Sequence, residues 1–208
     1  FKNTILVVVA ATMGNVMSSS ITAFGFARIR FPGRDFLFVI LISTMMLPYQ
    51  VKIIPLFQMY KTIGWLNSLW PLIVPAFFAS ASPFFVFLMR QFFLSIPEEL
   101  ADAARIDGCG FVNIYLRIFL PLTKPAMVTV ALFSFMDNWN DFFMPLIYIN
   151  SNQFKTLSLG LAGMTGQYVS DWHIIMAASV ITVLPCVIIF LLAQRHFVEG
   201  IALSGIKG

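Results

Sequence analysis

Residues 98–121 read EELADAARIDGCGFVNIYLRIFLP. Four acids, Glu98, Glu99, Asp102 and Asp107, fall within ten residues of a chain that is only 11% charged. Long apolar runs stand on either side. Locally the block encodes a helix, a turn and a second helix. Ser95 and Glu98 have the S-x-x-E spacing of a capping box, and Pro97 is tolerated in a first helical turn. Early acids suit the positive end of the helix dipole. The pattern predicts a helix over 97–107, stopped by Gly108 in the left-handed conformation. Leu100, Ala103, Ala104 and Asp107 then share one face, and Glu98, Asp102 and Arg105 another. In the second helix Phe111, Ile114, Tyr115 and Ile118 form an apolar stripe, with Asn113 and Arg117 opposite. Pro121 leads into the next apolar run. Two readings fit this spacing: a plug for a partner, and a pair of amphipathic helices resting on lipid headgroups.

The rest of the chain says where the block sits. Of 208 residues, 59% are hydrophobic, and mean hydropathy is +0.88. A soluble domain runs at about 45–50% apolar and about 25% charged. The expected class is therefore an all-α polytopic membrane protein, residues 1–208 forming a single transmembrane domain. Five segments reach the roughly 20 apolar residues a crossing needs: 4–27, 36–60, 69–93, 122–149 and 173–197. Barrel strands would be near ten residues long and alternating, so helices are expected. Prolines recur within these spans, at 48, 55, 71, 75, 83, 145 and 185.

Basic residues set the orientation. Arg28, Arg30, Arg34, Arg90, Arg105, Arg117, Lys124, Arg195 and Lys207 fall on one side of the spans, nine in all, against four (Lys2, Lys52, Lys61, Lys155) on the other. Lys/Arg excess marks the cytoplasmic face. The block (94–121) and the C-terminal tail (194–208) are thus expected in the cytoplasm, and Phe1 outside. An outside start with no secretory leader implies an earlier span.

Several chemistries are set aside. Cys109 and Cys186 have no CxxC or Cys/His neighbour, and His173 and His196 lack ligand partners, so neither a disulfide nor a metal site is expected. No basic block or RNA-binding signature points to nucleic acid. The nearest approach to a phosphate loop, Gly200 to Gly208, misplaces its lysine and lacks the following Ser/Thr. No nucleophile–base set stands out, so an enzyme is not expected. The fourth span carries polar residues, Ser134, Asp137, Asn138 and Asp141, with Asn140 beside them. A carboxylate at a helix centre costs about 2.5–3.5 kcal/mol on insertion scales, so these are candidates for a pore, a gate or a subunit interface. A stand-alone secondary transporter or channel would have to use Asp137 and Asp141.

Asp102-Ala103-Ala104, three residues, Gly108, nine residues, then Ile118-x-Leu120-Pro121 resembles the EAA loop of ABC-importer permeases. Asp102 stands where that family usually has Glu. FARIRFPGR (26–34), MMLPYQVKIIPL (45–56), RQFFLSIPEEL (90–100), FSFMDNWNDFFMPL (133–146) and QRHFVEGIALSGIKG (194–208) extend the likeness over nearly the whole chain. Within the superfamily the chain resembles carbohydrate importers, specifically the smaller permease of the maltose-type system. The resemblance implies a type I importer transmembrane domain with a first span missing from the five visible. It implies half of a sugar or oligosaccharide pore in the inner membrane of a prokaryote, in contact with lipid. The implied partners are a second permease, two ATPase subunits that bind ATP and Mg, and an extracytoplasmic sugar-binding protein. No cofactor is implied in this chain. Coupling to the ATPase would involve Glu98, Glu99, Asp102, Ala103, Ala104, Arg105, Asp107, Gly108, Ile118, Leu120 and Pro121. The tail would reach between the ATPases.

Overall fold

In a computed structural model of the protein, the described residues are 1–78, 82–164 and 172–204, with side chains as far as Leu192 in the last segment. They are helical, as the composition requires. In chain order the helices are α1 (Lys2–Arg28), α2 (Arg34–Ser43), α3 (Tyr49–Thr62), α4 (Trp70–Ile73), α5 (Pro83–Ser95), α6 (Glu99–Ile106), α7 (Phe111–Ile114), α8 (Leu120–Leu122), α9 (Lys124–Asn140), α10 (Phe143–Tyr148), α11 (Leu157–Ala162) and α12 (Trp172–Ser204).

Helix α1 is the hub. Its 27 residues span about 40 Å at 1.5 Å per residue. Ile5, Val9, Met13, Met17 and Ile21, spaced every four residues, are all about half exposed. The opposite stripe, including Val7, Val8, Ala11, Asn15, Ser19, Ala23 and Phe24, is buried. An apolar outer stripe over a partly polar inner one inverts the soluble-helix pattern and fits a lipid solvent. Helices α5 and α9 pack along the buried stripe. Gly14 allows a further close approach: a Cβ there would lie 2.8 Å from the Phe77 ring and 3.1 Å from the Ala76 carbonyl carbon. Ser18 Oγ fixes the same contact by donating to Ala76 O at 2.9 Å.

The five expected segments are not all continuous helices. Among the described residues two helices are long and apolar enough alone, Lys2–Arg28 and Trp172–Leu192, and up to four crossings result if each bent pair counts as one. The 36–60 run is bent by 98° between Arg34–Met46 and Tyr49–Thr62. The bend sits at Leu47, which Pro48 holds extended (ψ 111°). The 69–93 run breaks into short turns around Pro71 and Pro75 before Pro83 opens α5. The 122–149 run has a 76° bend before α9 and a break at Asp141 (ψ 115°) before α10. By contrast, Pro55 and Pro185 lie inside continuous helices. Little of Trp172–Leu192 is buried within the chain, whereas about half of Lys2–Arg28 is. Helix α12 is therefore peripheral within this chain as far as Leu192, and α1 central.

The two ends of the bundle are distinct. At one end Asn3 Nδ2 donates to Gln153 O and Lys155 O, and Leu157 N donates to Thr4 Oγ1. Asn67, at φ 57°, holds the same end by accepting from Asn150 N and Ser151 N at 3.1 and 2.8 Å. Beside it Tyr49 and Tyr148 share a hydroxyl hydrogen bond of 2.7 Å. The other end gathers Arg28, Arg30, Arg34, Arg90, Glu98 and Arg105. The main apolar core lies beneath them, with Phe24, Met89, Phe93, Ala101, Ala104, Ile114, Phe119 and Ala126 buried together.

Candidate functional site: the charged helical hairpin

The block at 98–121 folds as a short helix, a glycine turn and a second helix. Helix α6 begins at Glu99, two residues later than expected, and no side chain caps it. The capping box is therefore absent. Ser95 closes the preceding helix instead, its Oγ donating to Phe92 O at 2.8 Å.

The stop forms as the sequence requires. Gly108 has φ 81°. Gly108 N donates to Arg105 O at 3.0 Å and Cys109 N to Ala104 O at 2.9 Å. These are the two crossed bonds of a Schellman turn, which satisfy carbonyls the helix would otherwise leave orphaned. Cys109 packs against the same core as Ala104, supplying the apolar contact that accompanies the motif.

Which face looks outward differs from the expectation. Ala101 (2% exposed) and Ala104 (7%) are turned into the core, while Ala103 is exposed. Ala104 thus faces the core of this chain. Its small side chain lets α6 sit close over the core, which Ala101 three residues earlier does as well. The outward surface carries Leu100, Ala103, Ile106, Asp107, Phe111 and Val112. Ile106 is 87% exposed and Val112 70%. The expected stripe of the second helix holds for Ile114, which is buried, and partly for Tyr115 and Ile118, but Phe111 lies outside it.

Asp102 pairs with Arg105 Nη1 at 2.6 Å, both groups being substantially exposed. Arg105 also lies 5.8 Å over the Phe111 ring, tying the two helices across the turn. Glu98 reaches Arg30 at 3.4 Å. Among the described residues Glu99 and Asp107 make no ion pair. Together Arg28, Arg30, Glu98, Glu99, Asp102, Arg105 and Phe111 line an open cavity of about 770 Å³.

Pro121 follows a wide π-helical turn at Tyr115–Phe119. A proline lacks the N–H and crowds the carbonyl four residues back, and the wider turn precedes it here. Thr123 closes the turn, its N–H and Oγ1 both donating to Phe119 O at 3.0 Å. Ile118 and Leu120 are half-buried, and Pro121 is exposed.

Sequence reading saw Arg28 only as an orientation charge. In the structure its Nε donates to Phe93 O at 3.1 Å, and its Nη2 to both Phe93 O and Ile96 O. Its guanidinium lies 4.8 Å over the Phe119 ring. No sequence signal marks this role, since the acceptors are backbone atoms more than sixty residues away.

The polar residues of the fourth run do not act as one stripe. Ser134 is fully buried and accepts from Asn15 Nδ2 at 2.9 Å. Asn138 Nδ2 returns to Ser134 O at 2.7 Å. Asn140 is exposed and bonds Met136 O at 2.8 Å. Asp141 Oδ1 accepts from Met144 N at 3.1 Å, capping the start of α10. Asp137 makes no hydrogen bond or ion pair among the described residues. Asp137, Asn138 and Asp141 line a cavity of about 320 Å³ with Asn15, Pro71, Pro75 and Phe85. Asn15, the one amide between Ile5 and Ala27, is the member the sequence reading missed, and its polarity in a span is the available cue.

Residues 15–202 match the family described as binding-protein-dependent transport system inner membrane component. The chain is 36% identical over all 208 residues to the arabinooligosaccharides transport system permease protein AraQ of Halalkalibacterium halodurans, covering 74% of that protein. It is 36% identical over 201 residues, 96% of this chain and 70% of the other, to the sn-glycerol-3-phosphate transport system permease protein UgpE of Salmonella typhi. Among solved structures, a bacterial ABC transporter involved in the import of the acidic polysaccharide alginate superposes with a TM-score of 0.84 at 23% identity, over 95% of this chain and 74% of that one. An inward-facing methionine ABC transporter superposes with a TM-score of 0.70 at 16% identity, over 93% and 90%.

Proposed function

The chain belongs to the family of binding-protein-dependent transport system inner membrane components, and on that premise we propose that it is a permease subunit of an ATP-driven importer of a sugar or oligosaccharide. The observation that carries the coupling part of this reading is the hairpin of α6 and α7. A Schellman turn fixes its shape, and a core packed from α1, α5 and α9 supports it from behind. Its outward surface of Leu100, Ile106, Phe111 and Val112, rimmed by charge, is unusually apolar for a segment with so many acids. Such a surface fits a groove on a separate ATPase subunit better than it fits bulk water.

Two permeases would form the pore, this chain supplying one half, with an ATPase seated beneath each. ATP and Mg belong to those subunits. ATP-driven closure would move the two hairpins together and bias the pore between inward- and outward-facing states. An extracytoplasmic binding protein would deliver the solute. The hairpin and the C-terminus lie in the cytoplasm in this reading, because nine of thirteen Lys/Arg residues fall on that side. Gly205–Gly208, the end of the tail that would reach between the ATPases, lie outside the described residues. The relatives' names favour an oligosaccharide, with glycerol phosphate as the second candidate. A stand-alone transporter built on Asp137 and Asp141 finds no support in the family match.

The test is uptake by proteoliposomes holding this chain, its second permease and the ATPase, with the binding protein outside. Labelled arabinooligosaccharide should accumulate only with internal ATP. Uptake that continues without the ATPase subunit would overturn the reading. Accumulation of sn-glycerol 3-phosphate instead would retain the importer and change the solute.

A further inference from the structure

Helix α5 ends at Ser95, and three residues, Ile96, Pro97 and Glu98, connect it to α6. A helix C-terminus leaves carbonyls without intrahelical partners and carries partial negative charge. Here Arg28, the last residue of α1, takes Phe93 O and, beyond the helix, Ile96 O. Its guanidinium plane is held by the fully buried Phe119 at 4.8 Å. Phe119 belongs to the helix that returns from the hairpin. One side chain therefore ties the end of α1 to the strand of backbone entering the hairpin and to the helix leaving it.

Two other polar links join α1 and the residues just after it to the hairpin, the Ser20–Tyr115 hydroxyl bond at 2.9 Å and the exposed Arg30–Glu98 pair at 3.4 Å, and neither takes a backbone carbonyl; the remaining contacts are apolar. Phe24, Phe93, Tyr115 and Phe119 pack with ring centroids 5.1–6.5 Å apart. Apolar packing of this sort is non-directional and tolerates sliding of one helix past another. Charge-assisted hydrogen bonds to fixed carbonyls do not, because a shift of an ångström breaks them. Thirteen residues up α1, about 20 Å at 1.5 Å per residue, Asn15 bonds Ser134 beside the cavity lined by Asp137, Asn138 and Asp141.

We propose that Arg28 is a positioning residue, a strut that makes α1 follow the α5–α6 linker, so that displacement of the hairpin reaches the Asn15–Ser134 contact. The proposal rests on the reading of the hairpin as the ATPase handle.

The experiment uses the assembled importer, with Cys109 and Cys186 changed to Ser and spin labels at Ile21→Cys on α1 and Asn113→Cys on α7. Both positions are exposed. With Arg28 intact, the 21–113 distance should be the same in nucleotide-free and ATP-bound complexes, because the two elements move as one. In Arg28→Gln the distance should shift on ATP binding, as the hairpin moves without α1. Arg28→Lys keeps the charge but offers a single ammonium without the planar fork, and should give a smaller shift of the same sign. A purely structural defect would change the distance in both states alike. If Arg28→Gln shows the same distance as the parent in both states, the strut does not exist. If Arg28→Gln fails to assemble, Arg28→Lys decides by the same criterion, and failure of both to assemble makes Arg28 a folding residue and overturns the proposal. A separate outcome identifies failure of the underlying reading: the parent complex would show no ATP-driven movement of residue 113 relative to a label on the second permease.

Discussion

Replacement of Gly108 isolates the shape of the hairpin from its surface chemistry. The residue sits at φ 81°, and a Cβ built there meets nothing within 4 Å. Any penalty is therefore conformational. A non-glycine residue in the left-handed region costs about 1–2 kcal/mol. The turn is held by two backbone hydrogen bonds, at 3.0 and 2.9 Å, each worth about 0.5–1.5 kcal/mol net. For Ala the strain and the bonds are of similar size, so Gly108→Ala should keep the turn at reduced stability. A β-branched Val suffers more in this region, so Gly108→Val should open the turn and let α7 swing away from α6. Asn tolerates the left-handed conformation, so Gly108→Asn should resemble the parent. The assay is purification of each variant through a tagged ATPase, with subunit stoichiometry and stimulated ATP hydrolysis read on the same sample. The expected order is Gly, Asn, Ala, Val, with Val losing coupling while still inserting in the membrane. Full assembly and full uptake by Gly108→Val would refute the argument that the turn presents the docking surface.

Other substitutions probe separate contacts. Gly14→Val should destabilise the bundle by about 1–3 kcal/mol through overpacking against Phe77 and Ala76, measured as a lower melting temperature in detergent, with Gly14→Ala milder because the half-exposed Phe77 ring can give way. Asn15→Ala should cost about 0.6–1.7 kcal/mol, the range of interhelical hydrogen bonds in membranes, and Ser134→Ala on the same background should add little, as a double-mutant cycle will show. Asp102→Glu, the usual family residue, should be tolerated, and loss of the exposed Arg105 pair alone should change stability by only about 0–1 kcal/mol. Asp102→Lys should weaken ATPase association while leaving insertion intact. Cys109 should react with a thiol reagent added on the cytoplasmic side and a cysteine at Asn150 with one added outside, the reverse pattern contradicting the orientation.

What the sequence made legible was local. Gly108 could be read as a left-handed stop because that demand involves only the turn itself. The two ends of the bundle could be sorted because basic residues segregate. Run lengths were a poorer guide, since a bilayer-length apolar run says nothing of where Pro48, Pro71, Pro75 and Pro121 bend it. Pro55 and Pro185, equally visible, interrupt nothing. The capping box failed because Ser95 was already engaged by the helix before it. Ala103 and Ala104 looked equivalent, and only the packed core shows that Ala104 faces inward. Arg28 was beyond reach for a similar reason: its partners are carbonyls brought close by the fold.

Site-directed cross-linking measures directly which surface of the hairpin meets the ATPase. Single cysteines replace Ile106, 87% exposed, and Ala104, 7% exposed, in a chain whose native Cys109 and Cys186 are Ser. Each is labelled with a photoactivatable thiol-reactive probe and assembled with the unaltered ATPase. Ile106→Cys bearing the probe should cross-link to the ATPase, with a yield that changes on ATP binding, and Ala104→Cys should not. Equal cross-linking from both positions, or cross-linking from Ala104→Cys alone, would contradict the assignment of the outward face. Absence of any ATPase adduct from Ile106→Cys in an intact complex would contradict the hairpin's role as the handle.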